Sequence, residues 1–394
     1  MNKNTSSPGF TVLLAALIAL PALGTDLYVP ALPALADSLA AQVDAGQFTL
    51  TAYFIGLAAG QLAWGPLSDR YGRKPVLLAG LAAMLASSVA AVLAESVAGV
   101  SASRLVQGFA MSSGAVVTRS IIRDLYAHEK AARLLSSVTV VFSLVPISAP
   151  LAGALLTEAG GWRAVFWCMA AVAAALLVAV SARLAETAPA ERRSMHPLHI
   201  ARTFATVLGE RRFIAPFLLV LCSHIGILAW VSNSAFTLIG GLGVSTTEYG
   251  LMFAAVMLGQ ISGAWVSARL VLRAGIPRLL AAGAALMLAA GAAAAALAWA
   301  GVGHWAAVVA PFTAFLFGTA LIVPNATAAA LSPFPAFAGA ASSLIGAIGF
   351  TAGALVSTAL GAAYDGTARP MASMAAFAGL CAFAAHRALL HGKT

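Results

Sequence analysis

The stretch Gly60-Gln61-Leu62-Ala63-Trp64-Gly65-Pro66-Leu67-Ser68-Asp69-Arg70-Tyr71-Gly72-Arg73-Lys74-Pro75 decides how the chain is read. An apolar run ends in it, a short charged turn follows, and a second apolar run begins at Val76. Gly65 and Gly72 permit close backbone approach or a positive φ. Pro75 suits the first turn of a helix, where its missing N–H costs nothing. Asp69 beside Arg70, Arg73 and Lys74 can build a charge network at a membrane surface. On physics alone the turn is a hairpin loop that places positive charge on one side of a bilayer.

Outward from this turn the chain is apolar throughout. Of 394 residues, 61% are hydrophobic and only 9% charged, with a mean hydropathy of +0.93. A soluble domain carries roughly 25% charge. Continuous apolar runs near ~20 residues are membrane spans, and their lack of alternation argues against a β-barrel. The expectation is an all-α polytopic membrane protein. The first run, to Leu35, is too long for a signal-peptide core and reads as span 1. Cys168, Cys222 and Cys381 lie inside apolar runs without CxxC spacing, so they suggest packing and neither a metal nor a disulfide framework.

Twelve spans are predicted, at about 9–35, 46–67, 75–94, 97–119, 132–156, 162–183, 212–239, 247–269, 277–299, 304–330, 336–362 and 369–390. Their loops carry a strong charge asymmetry. On one side lie Arg70, Arg73 and Lys74; Arg119, Arg123, Lys130 and Arg133; Arg183, Arg192, Arg193, Arg202, Arg211 and Arg212; Arg269, Arg273 and Arg278; and Arg387 with Lys393. The other side has Arg163 and Arg369 against Asp37, Asp44, Glu95, Glu158, Glu248 and Asp365. The positive-inside rule then puts both termini in the cytoplasm. The formal net charge of +9 is a topology signal on this reading, and no nucleic-acid partner is expected.

Glu186–Arg212 is the only long polar connection. It divides the chain into an N-terminal bundle (1–185), a cytoplasmic linker (186–211) and a C-terminal bundle (212–394). Its Glu191-Arg192-Arg193 cluster reads either as a plain solvated linker or as a segment lying on the anionic inner leaflet. A weak internal repeat supports the division. Gly60-Gln61-Leu62 matches Gly259-Gln260-Ile261, with Ser68 matching Ser267 and Arg70 matching Arg269, while Ala268 stands where Asp69 does. Two related six-helix halves with a site between them form a transporter architecture, and one chain holding both halves is expected to act as a monomer.

Few charges remain inside the spans, where they are costly and functional by default. Asp26 lies about 13 Å from the outer end of span 1, and Arg104 about 10 Å from the same end of span 4. The two share a depth at which pairing would lower the cost of burying either. A transport role, a structural ion pair, and an Asp26 at the outer interface all remain open. Pro21, Pro30 and Pro33 bracket Asp26 and predict a bent or broken helix. Softer cavity candidates are Tyr53, Arg119, His224, Trp230, Asn233, Phe236 and Asn325. For each of them, helix packing is the competing role.

The pattern Gly65-x-Leu67-x-Asp69-Arg70-x-Gly72-Arg73-Lys74 resembles, without departure, the loop between helices 2 and 3 of the major facilitator superfamily. The resemblance implies a cytoplasmic gate formed by Gly65, Asp69, Arg70, Gly72, Arg73 and Lys74. Arg104-x-x-Gln107-Gly108 resembles the span 4 element of proton-driven members, which implies proton coupling through Arg104. Pro146-x-x-x-Pro150-x-x-Gly153 resembles the antiporter element of span 5. Here Ala149 and Ala154 replace two of the usual glycines. Asp26-Leu27-Tyr28-Val29-Pro30-Ala31-Leu32-Pro33 and Arg119-Ser120-Ile121-Ile122-Arg123-Asp124-Leu125-Tyr126 look like the bicyclomycin/chloramphenicol-resistance branch of drug:proton antiporters. The implied function is proton-coupled export of small lipophilic drugs across the bacterial inner membrane, with the proton gradient as energy source and no cofactor. A proton-linked importer of a nutrient or siderophore is the alternative. No Walker A, Rossmann, HExxH or GxSxG motif appears, so neither an ATP-driven pump nor an enzyme is expected. A channel lacks its symmetric pore ring.

Overall fold

The computed structural model describes residues 8–126, 134, 137–138, 142–188, 197–334 and 338–391. Among them all regular structure is helical. Nine helices among the described residues are long and apolar enough to cross a membrane. The helices Val43–Tyr71 and Arg369–His391 add spans 2 and 12. Val145–Arg183 holds both span 5 and span 6. It reverses at Gly160 and Gly161, the latter at φ +69°, a left-handed conformation that only glycine adopts without strain. That turn completes the expected twelve.

Span 1 is broken where its prolines dictate. Its first helix, Pro8–Asp26, ends at the acid. A short 3₁₀ turn, Val29–Ala31, and a second helix, Leu32–Ser38, follow. Pro30 has no N–H to offer the Asp26 carbonyl, and its ring crowds that turn. Spans 2 and 3 meet at Gly72, whose φ of +101° lets Val43–Tyr71 end and Arg73–Leu93 begin without a loop. Several helices overrun the expected spans. Val97–Leu125 continues beyond residue 119 as regular helix, because nothing in Ser120–Leu125 breaks it.

The remaining spans are the helices Arg211–Ala235 with a π turn at Phe236–Gly241, Thr246–Ala274, Ile276–Trp299, Ala306–Leu331 and Ala338–Ala363. The linker holds one short helix, Pro197–Gly209. Its Glu191-Arg192-Arg193 cluster lies outside the described residues, as do Pro189, Lys130, Arg133 and Lys393.

The two halves meet mainly through span 2 against span 11 and span 5 against span 8. Three hydrogen bonds that cross between them lie on the face opposite the linker. Ser357 donates to the Gln47 carbonyl at 3.4 Å, Thr51 and Thr358 share a bond of 3.2 Å, and the Thr247 N–H donates to Glu158 at 3.0 Å.

Candidate functional site: an acid at the break in span 1

Arg104 is wholly buried in span 4. Its guanidinium carbon lies 4.2 Å from the ring centre of Tyr28 and 3.9 Å from that of Tyr53. It donates to the Gln107 side-chain oxygen at 2.5 Å and to the Gly24 carbonyl at 2.9 Å. Gln107 in turn donates to Ser88 at 2.7 Å. The cation is thus held by two aromatic faces and two neutral oxygens.

The free carbonyl at Gly24 follows from the helix break. In an intact helix it would accept from the Tyr28 N–H, but that group bonds to Thr25 instead. Arg104 therefore fills an orphaned acceptor. The sequence places Arg104 beside Asp26 in depth; the structure takes it to the backbone two residues earlier, and no ion pair joins the two among the described residues.

Asp26 is 7% exposed. The turn that follows it, Val29–Ala31, packs against spans 7 and 8 of the second half. The acid thus sits at the seam of the halves, without a counter-ion among the described residues. Tyr53 also donates to the Pro21 carbonyl at 2.8 Å, so it braces the helix that ends at Asp26.

Two glycines bring the neighbouring spans in. Gly153 packs on the backbone of Leu27, and a Cβ there would collide with the Leu27 carbonyl oxygen. Gly108 packs in the same way on the Tyr53 carbonyl. The elements read from the sequence in spans 1, 4 and 5 therefore converge around one break. Pro146 lies in the first turn of the helix that carries Gly153, and Pro150 is buried one turn before it.

The charged turn is tied together within the first half. Arg73, 5% exposed, contacts Asp69 and also reaches Asp124 at 2.8 Å. Ser68 accepts from Arg73 at 2.7 Å. Lys74 donates to the Ser181 carbonyl at 2.8 Å, and Arg70 lies over the ring of Tyr71. Gly65 faces Val116 of span 4.

Glu186, at the start of the linker, accepts from the backbone N–H groups of Arg73 at 2.9 Å and Lys74 at 3.2 Å. It caps span 3 from 113 residues away. Partial burial pushes its carboxyl up. The N–H bonds from Ala188, Arg73, Thr187 and Lys74 outweigh that effect and hold it below the usual glutamate value. Asp124 and Glu186 were not legible as members of this cluster. The only signal was an unexplained acid at the end of span 4 and another just past span 6.

The second half answers with neutral groups. Ser267, the repeat partner of Ser68, accepts from Asn325 at 2.8 Å. Asn325 also donates to the Leu321 carbonyl, so it joins spans 8 and 10. Trp230 is fully buried against Phe253 and Phe312. Asn233 accepts from Thr237 at 2.8 Å, while its amide nitrogen and the Trp230 indole N–H have no partner among the described residues. Phe236 lies in the π turn, where Tyr364 donates to its carbonyl. His224 is half-buried, with Nδ1 against the Val220 carbonyl, and faces Gly349 of span 11. Arg119 is open to solvent on span 4. A cleft of about 430 Å³ between the halves, lined by Asp44, Phe48, Ser101 and Thr358 among others, does not include Asp26.

Two six-span halves with a broken helix and an uncompensated acid at their seam define a secondary transporter. The chain belongs to the Major Facilitator Superfamily, whose family description matches residues 14–385. It is 30% identical to a bicyclomycin resistance protein homolog of Haemophilus influenzae, over 94% of this chain and 93% of that one. It is 28% identical to multidrug resistance protein D of Escherichia coli, over 88% and 86% of the two chains. A chloramphenicol resistance protein of Pseudomonas aeruginosa is 30% identical over 68% of this chain and 64% of its own length. These relatives agree with the branch read from spans 1 and 4, the bicyclomycin/chloramphenicol-resistance group of drug efflux proteins. Among solved structures, a D-xylose–proton symporter superposes with a TM-score of 0.72 at 17% identity, covering 96% and 98% of the two chains. A POT family transporter gives 0.76 at 13%, covering 97% and 95%. Both show the fold. The superfamily is one of transporters, not enzymes.

Proposed function

We propose that this protein exports small lipophilic drugs across the bacterial cytoplasmic membrane in exchange for protons, by alternating access, with both termini and the linker on the cytoplasmic side. The observation that carries the reading is Asp26, a buried carboxylate at the seam of the halves with no ion-pair partner among the described residues. Protonation changes its charge in a low-dielectric site. A site that binds drug and proton exclusively of one another lets the gradient do work on the drug. Arg104 holds the broken end of span 1 in place, so its part in coupling is to position the acid.

The cross-half hydrogen bonds on the opposite face support an arrangement closed to the outside. The cluster of Asp69, Arg73, Asp124 and Glu186 makes the cytoplasmic end of the first half one rigid body. In the outward-facing state that body closes the linker face, with Asp69 and Arg73 as its gate. One chain supplies both halves, so the working unit is a monomer.

The test is expression in an efflux-deficient bacterium against a broad drug panel, with accumulation measured before and after an uncoupler. Resistance with lower drug accumulation, abolished by the uncoupler, is expected. Accumulation that rises on expression would make the protein an importer. Flux that ignores the proton gradient would remove the coupling.

A further inference from the structure

Arg119 and Arg123 lie one turn apart on the same face of span 4. Arg119 is six residues before Leu125, about 9 Å inside the end of its helix. An intramembrane arginine normally faces a partner or a water-filled cavity. Neither side chain makes an ion pair among the described residues. Asp69 and Asp124, on the flanking helix ends, are both held by Arg73. Among the described residues, Arg123 donates to the Ser120 hydroxyl at 3.1 Å and has no carboxylate partner. Both arginines are open to solvent, although Arg119 lies a full turn further in from the end of the helix. That is the situation of a side chain in a vestibule.

The far wall of the vestibule belongs to the other half. The Arg123 guanidinium faces Gly339 of span 11, where a Cβ would lie 2.9 Å from its nitrogen. Two turns further in, Gln61 of span 2 faces Gly346 of the same span. The two cations therefore stand at a mouth bounded by both halves, on the linker face. Any substrate that enters from that face passes two positive charges before it reaches the level of Asp26.

We propose that Arg119 and Arg123 form an anion-recognition pair at this mouth, selecting amphipathic substrates that carry a carboxylate, sulfonate or phosphate group over lipophilic cations. Guanidinium groups suit such oxyanions, because their planar N–H forks match the oxygen pairs. The consequence for transport rests on the exporter reading; the binding preference does not.

Two dyes with one xanthene core test it: anionic carboxyfluorescein and cationic rhodamine 6G. Binding to the purified full chain in lipid nanodiscs is followed by fluorescence anisotropy. The wild type is expected to hold carboxyfluorescein at least about tenfold more tightly than rhodamine 6G, a preference that fades as salt rises. R119Q/R123Q should erase the preference by weakening the anion alone, and R119K/R123K should restore much of it. Equal loss of both dyes in the glutamine variant would assign the pair a structural role and overturn the proposal. A wild type that prefers the cation, or an anion preference unchanged in the variant, would also overturn it. Vesicle transport run in parallel separates the two readings. Arginine-dependent anion preference without gradient-driven flux defeats the exporter and leaves the pair standing. Gradient-driven flux without that preference does the reverse.

Discussion

Arg104 meets span 1 at the carbonyl of Gly24, 2.9 Å away, and leaves the carboxylate of Asp26 two residues later without a counter-ion among the described residues. On the proposed reading the arginine is part of the mounting, and the acid is the group that exchanges the proton. The predictions that follow separate these two roles.

Asp26→Asn keeps the size and polarity of the side chain and removes its titration. Uphill, proton-driven efflux is expected to disappear, while drug binding and downhill exchange persist. Reconstituted vesicles, with drug movement and internal pH followed together, check this. Concentrative transport with wild-type proton flux in the variant would assign the proton to another group.

Arg104→Ala removes the charge-assisted bonds to Gly24 and Gln107 and the contacts with Tyr28 and Tyr53. The broken end of span 1 should loosen, with a loss of about 2 kcal/mol or more. Arg104→Lys cannot reach both oxygens in one geometry and should recover only part of it. Thermal unfolding in detergent measures the loss. Transport should fall along with stability in both variants, unlike Asp26→Asn, which should unfold like the wild type.

Gly153→Val places bulk against the Leu27 carbonyl. Spans 1 and 5 must separate, at a cost of about 1–3 kcal/mol for an overpacked contact. Membrane insertion should survive and turnover should fall. A variant with wild-type turnover would show that this contact opens during every cycle without constraint.

Arg73 is shared between Asp69 and Asp124, so a double-mutant cycle is informative. Each Asp→Asn change leaves the guanidinium one carboxylate and should cost about 1 kcal/mol. Together they leave a buried charge with none, and the loss should exceed about 3 kcal/mol. Additive small losses would mean that water replaces the carboxylates. Turnover of Asp69→Asn, assayed in the same vesicles, tests the gate: an unchanged rate would reduce the loop to a topology signal.

Glu186 gives the linker a pH signature. Its folded-state value is depressed, so its capping of span 3 is fully present above the ordinary glutamate value. The contribution is lost as pH falls through the depressed one. Protection of the Arg73 and Lys74 amides from hydrogen exchange should be flat near neutrality and drop only in acid. Glu186→Gln should remove that acid-dependent drop. Persistence of the drop in the variant would place its origin elsewhere.

Much of this protein was already written along the chain. Apolar run length fixed the spans, because the bilayer demands about 20 such residues. Pro30 set the break after Asp26 because a missing N–H acts locally. The match of Ser68 to Ser267 is a weak sign of an internal repeat. What only the tertiary structure decided were pairings between distant segments. Depth along a helix placed Arg104 level with Asp26, but rotation about the helix axis, and an orphaned carbonyl, chose Gly24 instead. Loop composition grouped Asp69 with Arg73, yet Asp124 and Glu186 complete that cluster from 51 and 113 residues away. Asn325 is polar in any reading; only its contact with Ser267 makes it a tie between spans 8 and 10. Local chemistry acts through the backbone and is legible in order, whereas the partner of a buried charge depends on which helix faces which, and that is set by the packing of the whole bundle.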